Sequence, residues 1–187
     1  MEKRVFYCPA PFPDDEAERQ AVVAALLRQS GHCDAVRDLV AQAREMFAAT
    51  AGALTILDEG RQWLACAIGL AIASTPRCAA FCGYTIRQDA PFCVPDAHLD
   101  ERFSGNPLVT GDLGLRFYAG APVRIHGQAV GALCVMDQRA QAQPPQARLA
   151  ALRRLADTAG ARLEALLDTP APMPMPAIVP FPAQREG

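Results

Sequence analysis

The sequence predicts an α+β fold organised around antiparallel strands. Three observations carry this. Arg116 to Asp137, RFYAGAPVRIHGQAVGALCVMD, is two apolar stretches joined at His126-Gly127, where glycine accepts a positive φ at no steric cost. A second hairpin surrounds Asp58-Glu59-Gly60. Helix-period stretches flank both. Hairpins impose antiparallel pairing, and helices gathered at the ends of the chain complete the class.

The elements follow in order. Asp14-Asp15-Glu16 precedes Ala21, Val22, Ala25 and Leu26, so a helix is expected from about residue 15 to 29, with acids in the first turn and Gly31 as its stop. A second starts near Asp34. Val36, Leu39, Val40, Ala43, Met46 and Phe47 step by three and four onto one face, and Gly52 ends it. Ala53–Leu57 and Arg61–Cys66 form the first hairpin. Leu70–Thr75 is a connection, and Pro76 opens a short helix carrying Cys78, Phe81, Cys82 and Ile86. Pro91–Val94 is a short strand, kept to a strand end or sheet edge by Pro95. Asp96–Leu115 is the longest irregular stretch, and loops of that length in compact domains are often functional.

The central hairpin, Phe117–Ile125 with Gln128–Met136, is apolar on both faces and so is expected to be covered on both. The last helix follows Pro144-Pro145. Its Leu149, Leu152, Ala156, Ala159, Leu163 and Leu166 have the spacing of a coiled-coil seam, and equally that of a helix packed on its own sheet. Six prolines in residues 170–187 predict an extended, disordered tail. The expected division is therefore an N-terminal segment and helix over 1–31, a domain over 32–168 and a Pro-rich tail over 169–187.

Composition narrows the function classes. Of the 187 residues 51% are hydrophobic and 20% charged, which fits an ordered globular domain. A net charge of −2 without a basic run of five gives nucleic-acid binding no electrostatic footing. No secretory signal is read at the N-terminus. The longest apolar run, Trp63–Ala73, falls short of the roughly 18 residues that span a bilayer. A cytoplasmic location without membrane or nucleic-acid partners is expected. The seven cysteines then read as free thiols acting as small buried hydrophobes.

Six phrases in order resemble a GAF domain across about Asp34 to Leu167. They are Leu57-Asp58-Glu59-Gly60-Arg61-Gln62-Trp63, Ala80 to Ile86 (AFCGYTI), Val94-Pro95-Asp96-Ala97, Asp100 to Val109 (DERFSGNPLV), Arg116 to Pro122 (RFYAGAP) and Gly131 to Asp137 (GALCVMD). The likeness is to the bacterial sensory type found ahead of histidine kinase or cyclic-di-nucleotide enzyme modules. It implies a sheet of five or six antiparallel strands, helices packed on one side and a ligand pocket on the other. It also implies a small-molecule ligand, a homodimer through terminal helices and a signalling partner protein. No output module follows the domain in this sequence, so a stand-alone domain is expected.

The expected pocket lies beneath the 96–115 loop, near Trp63, Cys82, Tyr84, Asp96, Arg102, Arg116, Tyr118 and Cys134. Arg116 could grip a carboxylate or phosphate through two parallel hydrogen bonds, or pin the loop by pairing with Asp96 or Asp100. Arg102 with Asp100 has the same two uses. Trp63 and Tyr118 suit a pocket wall or an ordinary core. His98 and His126 lack partners at zinc-ligand spacing, and Cys78-x-x-x-Cys82 is incomplete alone, so no metal is assigned. The Asn-Lys-Phe-Asp-Glu signature of cyclic-nucleotide-binding relatives is absent, as is a Cys-His pair for bilin attachment. The expected function is a sensory ligand-binding domain without a catalytic residue. One alternative is a thiol enzyme resembling the free methionine sulfoxide reductases, using Cys82 and Cys93. The other is a ligand-free dimeric interaction module.

Overall fold

The structure, a computed structural model, describes residues 7–168. The Pro-rich tail expected over 169–187 lies outside the described residues. Helices α1 (Glu16–Leu27) and α2 (His32–Met46) meet at Gly31, which takes a φ of 84°. Strands β1 (Ala51–Leu57) and β2 (Arg61–Ile68) form the first hairpin. Next come β3 (Ser74–Pro76), a 3₁₀ turn (Arg77–Ala79), the single-turn helix α3 (Cys82–Thr85) and β4 (Phe92–Val94). Helix α4 (Pro107–Thr110) interrupts the long loop. The central hairpin is β5 (Phe117–Ile125) and β6 (Gln128–Asp137), and α5 (Gln146–Asp168) closes the domain.

The six strands form one antiparallel sheet in the order β3-β2-β1-β6-β5-β4. Its centre, β1-β6-β5, is buried on both faces, which is why those strands are apolar at successive positions. Side chains alternate between two cores. Leu54, Ile56, Phe117, Leu133 and Val135 face α1, α2 and α5. Ala53, Leu57, Tyr118, Ala132 and Cys134 face α3 and the loop, hereafter the roof, with Phe92 and Val94 of β4 on the same side of the sheet. The α5 stripe packs inward: Leu149, Leu152, Ala156, Ala159 and Leu163 are buried on the domain's own sheet. A second copy of the chain is therefore not needed to cover it.

Three local expectations change. The stretch after Pro76 is not one helix, because Ala80 is extended (φ −76°, ψ 122°) and divides it into the 3₁₀ turn and α3. The connection before Pro76 contains edge strand β3, whose residues pair with Arg61–Trp63. Inside the loop, Asn106 caps α4 and Pro107 occupies its first turn, a start signal easily lost in so short a helix. Pro122 is tolerated in β5 because β4 pairs only as far as Gly120. No described helix is long and apolar enough to cross a membrane.

Candidate functional site

The roof closes directly on the sheet through aromatic rings. Phe81 stacks on Phe103 with centroids 3.9 Å apart, and Tyr118 lies 5.4 Å from Phe81 and 6.0 Å from Phe92. Tyr84 meets Phe103 edge-on at 5.2 Å. Asn106, buried beneath, ties the roof down: its Nδ2 donates to the Ala79 carbonyl at 3.0 Å while its Oδ1 accepts from the Leu108 N–H at 2.9 Å. Residues 7–13 strap over this layer. The Cys8 N–H donates to the Arg102 carbonyl, Tyr84 Oη donates to the Cys8 carbonyl at 2.9 Å, and Arg87 donates to the Phe12 carbonyl.

Under the roof lies a buried polar cluster. Tyr118 Oη donates to Cys82 Sγ at 3.2 Å and sits 2.7 Å from Thr85 Oγ1; Cys82 Sγ is 3.9 Å from Cys134 Sγ. Gly120 makes room for the tyrosine, since a Cβ there would stand 2.3 Å from Tyr118 Oη. Burial raises the pKa of Cys82, but hydrogen bonding with Cys134, Thr55 and Tyr118 outweighs it and leaves the thiol below its ordinary range. Cys134 is held well above its range by its hydrogen bond to Cys82 and by burial. Tyr118 is raised too, by burial first and then by the two sulfurs.

The structure brings together Cys82, Tyr118 and Cys134, with Tyr84 and Arg102 at the edge of the aromatic layer. The Arg102 guanidinium carbon is 5.4 Å from the Tyr84 centroid and 5.0 Å from that of Phe92, and its side chain pairs with Asp100. Arg116 forms a two-pronged pair with Asp96, Nε to Oδ1 at 2.7 Å and Nη2 to Oδ2 at 2.6 Å. That hydrogen bonding holds the Asp96 carboxyl below its usual range. Of the two uses the sequence allows for Arg116, the loop clamp is therefore occupied. Trp63 is not brought to the others. It pairs in register with Ile56, whose side chain lies in the helix-side core, so it stands on the opposite face beside Arg61.

A cavity of about 170 Å³ opens where the roof ends. It is lined by Thr50, Gly69, Leu70, Leu113, Met136 and Gln138, among others, and none of the eight residues expected from sequence lines it. Gln138 Nε2 donates to the Leu113 carbonyl at 3.0 Å across its rim. Leu113 belongs to the 96–115 loop and Met136 to the Gly131–Asp137 phrase, whereas Thr50, Gly69, Leu70 and Gln138 carry no motif that would point to a cavity. Nor does sequence reveal that Cys33 and Cys66 are disulfide-bonded rather than free. The spacing of 33 residues has no signature, and only folding sets α2 against β2. Cys93 faces the helix-side core, whereas Cys82 lies under the roof, so the two thiols named for a reductase lie on opposite sides of the sheet. Burial pushes the Cys93 thiol up to about 12.

A family model for the GAF domain matches residues 33–163, and the chain belongs to that family. Over 161 residues, 85% of this chain, it is 39% identical to a Pseudomonas aeruginosa protein named cyclic di-GMP phosphodiesterase PA2567. The chain spans only 27% of that relative's length. Solved structures share the fold at lower identity. The GAF domain of an Acinetobacter phosphoenolpyruvate-protein phosphotransferase is 17% identical at a TM-score of 0.62, covering 86% of this chain and 99% of that one. A free methionine-R-sulfoxide reductase from Neisseria meningitidis is 20% identical at 0.60, covering 81% and 87%. The blue-light-absorbing PixJ GAF domain of Thermosynechococcus elongatus is 22% identical at 0.58, covering 76% and 89%.

Proposed function

We propose that this chain is a regulatory GAF domain that binds a small molecule and passes its occupancy to a cyclic-di-nucleotide signalling output. The observation that carries the proposal is the 39% identity to a protein named as a cyclic di-GMP phosphodiesterase, over a stretch that is 27% of its length. That proportion suits a sensing module rather than the catalytic body. We assign no catalytic residue. The guest is placed at the 170 Å³ cavity, where Leu70, Leu113 and Met136 supply apolar wall and Thr50 and Gln138 polar rim. A larger guest would lift the roof and meet Tyr84, Asp96, Arg102, Arg116, Tyr118, Cys82 and Cys134.

Native mass spectrometry of the purified chain, followed by thermal shift against a metabolite panel, tests this. A ligand at a hundred times its dissociation constant adds about 2.7 kcal/mol of stability. Leu113→Trp, which fills the cavity, should abolish the shift for a guest held there. The proposal fails if no bound mass is found and no compound shifts the transition. The placement at the cavity fails if L113W keeps the full response.

A further inference from the structure

We propose that Cys33 is a hydroperoxide-oxidised site and that Cys66 resolves it to the observed disulfide, so that oxidation reversibly ties the first turn of α2 to the sheet. The two residues are joined in the structure with their Cα atoms 4.4 Å apart, which is within the span a disulfide bridges without backbone movement. Their surroundings differ in the way a reactive and a resolving thiol require. Cys33 is partly exposed at the second position of α2, and Gly31 before it offers no side-chain cap. The unsatisfied amides of that first turn favour negative charge on the sulfur. Cys66 is 1% exposed, sunk in the helix-side core opposite Leu54, and its reachable partner is Cys33.

The chemistry balances with peroxide as the named oxidant. The Cys33 thiolate attacks one peroxide oxygen, the O–O bond breaks, and the departing hydroxide takes a proton to become water, leaving Cys33 as a sulfenic acid. Cys66 then gives up its proton and its sulfur attacks Cys33 Sγ. The S–S bond forms and hydroxide leaves with that proton as a second water. Two thiols lose two electrons and peroxide gains them. A dithiol reductant reverses the step through a mixed disulfide at Cys33, returning two electrons and two protons.

The bond sits where it can be read out. Around it, His32 Nε2 lies 2.9 Å from the Leu26 carbonyl at the end of α1, and Arg162 of α5 donates to the Ala35 carbonyl at 3.0 Å and to Asp38 at 2.6 Å. Breaking the crosslink frees the corner shared by α1, α2 and α5.

The test uses the reduced 187-residue chain, treated with substoichiometric hydrogen peroxide without air and quenched by differential alkylation. The exposed free thiols Cys8 and Cys78 are internal controls. The expected result is a Cys33–Cys66 crosslink forming at least tenfold faster than either control is modified, reversed by a dithiol without denaturant. Cys66→Ala should trap a dimedone adduct on Cys33. Amide exchange over residues 32–38 should rise when the bond is reduced. Reaction at Cys33 no faster than at Cys8 and Cys78 overturns the proposal, as does a crosslink that resists reduction in the folded protein. A folded C66A protein without the adduct, or unchanged exchange, overturns it as well. If Cys66→Ala does not fold, the rates in the unsubstituted protein decide alone.

Discussion

At the residue scale, a few polar groups are placed where burial makes their loss costly. Asn106 supplies both a helix cap and a buried link to Ala79, so Asn106→Ala should destabilise the domain by about 2–3 kcal/mol in denaturant melts. Gly120→Ala puts a methyl group onto the Tyr118 hydroxyl, and overpacking of that kind costs about 1–3 kcal/mol. Glu16 joins the N-terminus of α1 to two arginines. Burial opposes its charge, but hydrogen bonds from Arg19, Arg77 and Gln20 prevail and lower its pKa from 4.5 to about 2. A carboxyl lowered in the folded state stabilises it above the unfolded pKa. Stability should therefore be complete above about pH 4.5 and decline as pH falls towards 2, with Glu16→Gln flattening that slope in acid melts. Arg19 is fully buried and also donates to the Leu57 carbonyl at 2.7 Å, which anchors α1 to the end of β1.

At the element scale, the roof is held by packing more than by charge. The Asp96–Arg116 pair is partly exposed, so Arg116→Gln should leave the global unfolding transition little changed while raising amide exchange across 96–100. The disulfide has the larger leverage. Closing a loop with a sequence separation of 33 residues restricts the unfolded chain enough to predict about 3–4 kcal/mol between oxidised and reduced protein, measured as a midpoint shift with and without reductant. Long, repeated patterns made α1, α2, α5 and both hairpins legible, and the prolines on either side marked the three-residue β4. β3, the 3₁₀ turn and α4 span three or four residues, too few for a period to show, and were missed. Cys33–Cys66 escaped because pairing between distant thiols depends on how α2 lies across β2.

For the whole molecule, the position of α5 matters most. Its stripe is buried against the chain's own β5 and β6, not held in reserve for a partner helix. Leu163→Ala should therefore cost about 2–5 kcal/mol, and the loss should not depend on protein concentration in melts. A concentration-dependent loss would instead indicate that a second copy shares the stripe. The two-core arrangement also bears on ligand access. The helix side is closed by three helices, whereas the other side is closed by short elements and the 7–13 strap, which should open at lower free energy.

By itself the sequence determined the α+β class, the antiparallel hairpins and the family, because those depend on residue-by-residue alternation, turn glycines and ordered motifs. It also located the stretch that covers the sheet. Only the tertiary structure decided which use each chemistry-bearing residue takes. Arg116 is turned to Asp96, Trp63 to the far face and Cys33 to Cys66. Tyr118 is turned to the Cys82 thiol and the Thr85 hydroxyl, and a cavity opens beside Leu113. Local pattern encodes which face of its element a side chain occupies. What meets it there depends on how distant elements pack, and no spacing along the chain records that.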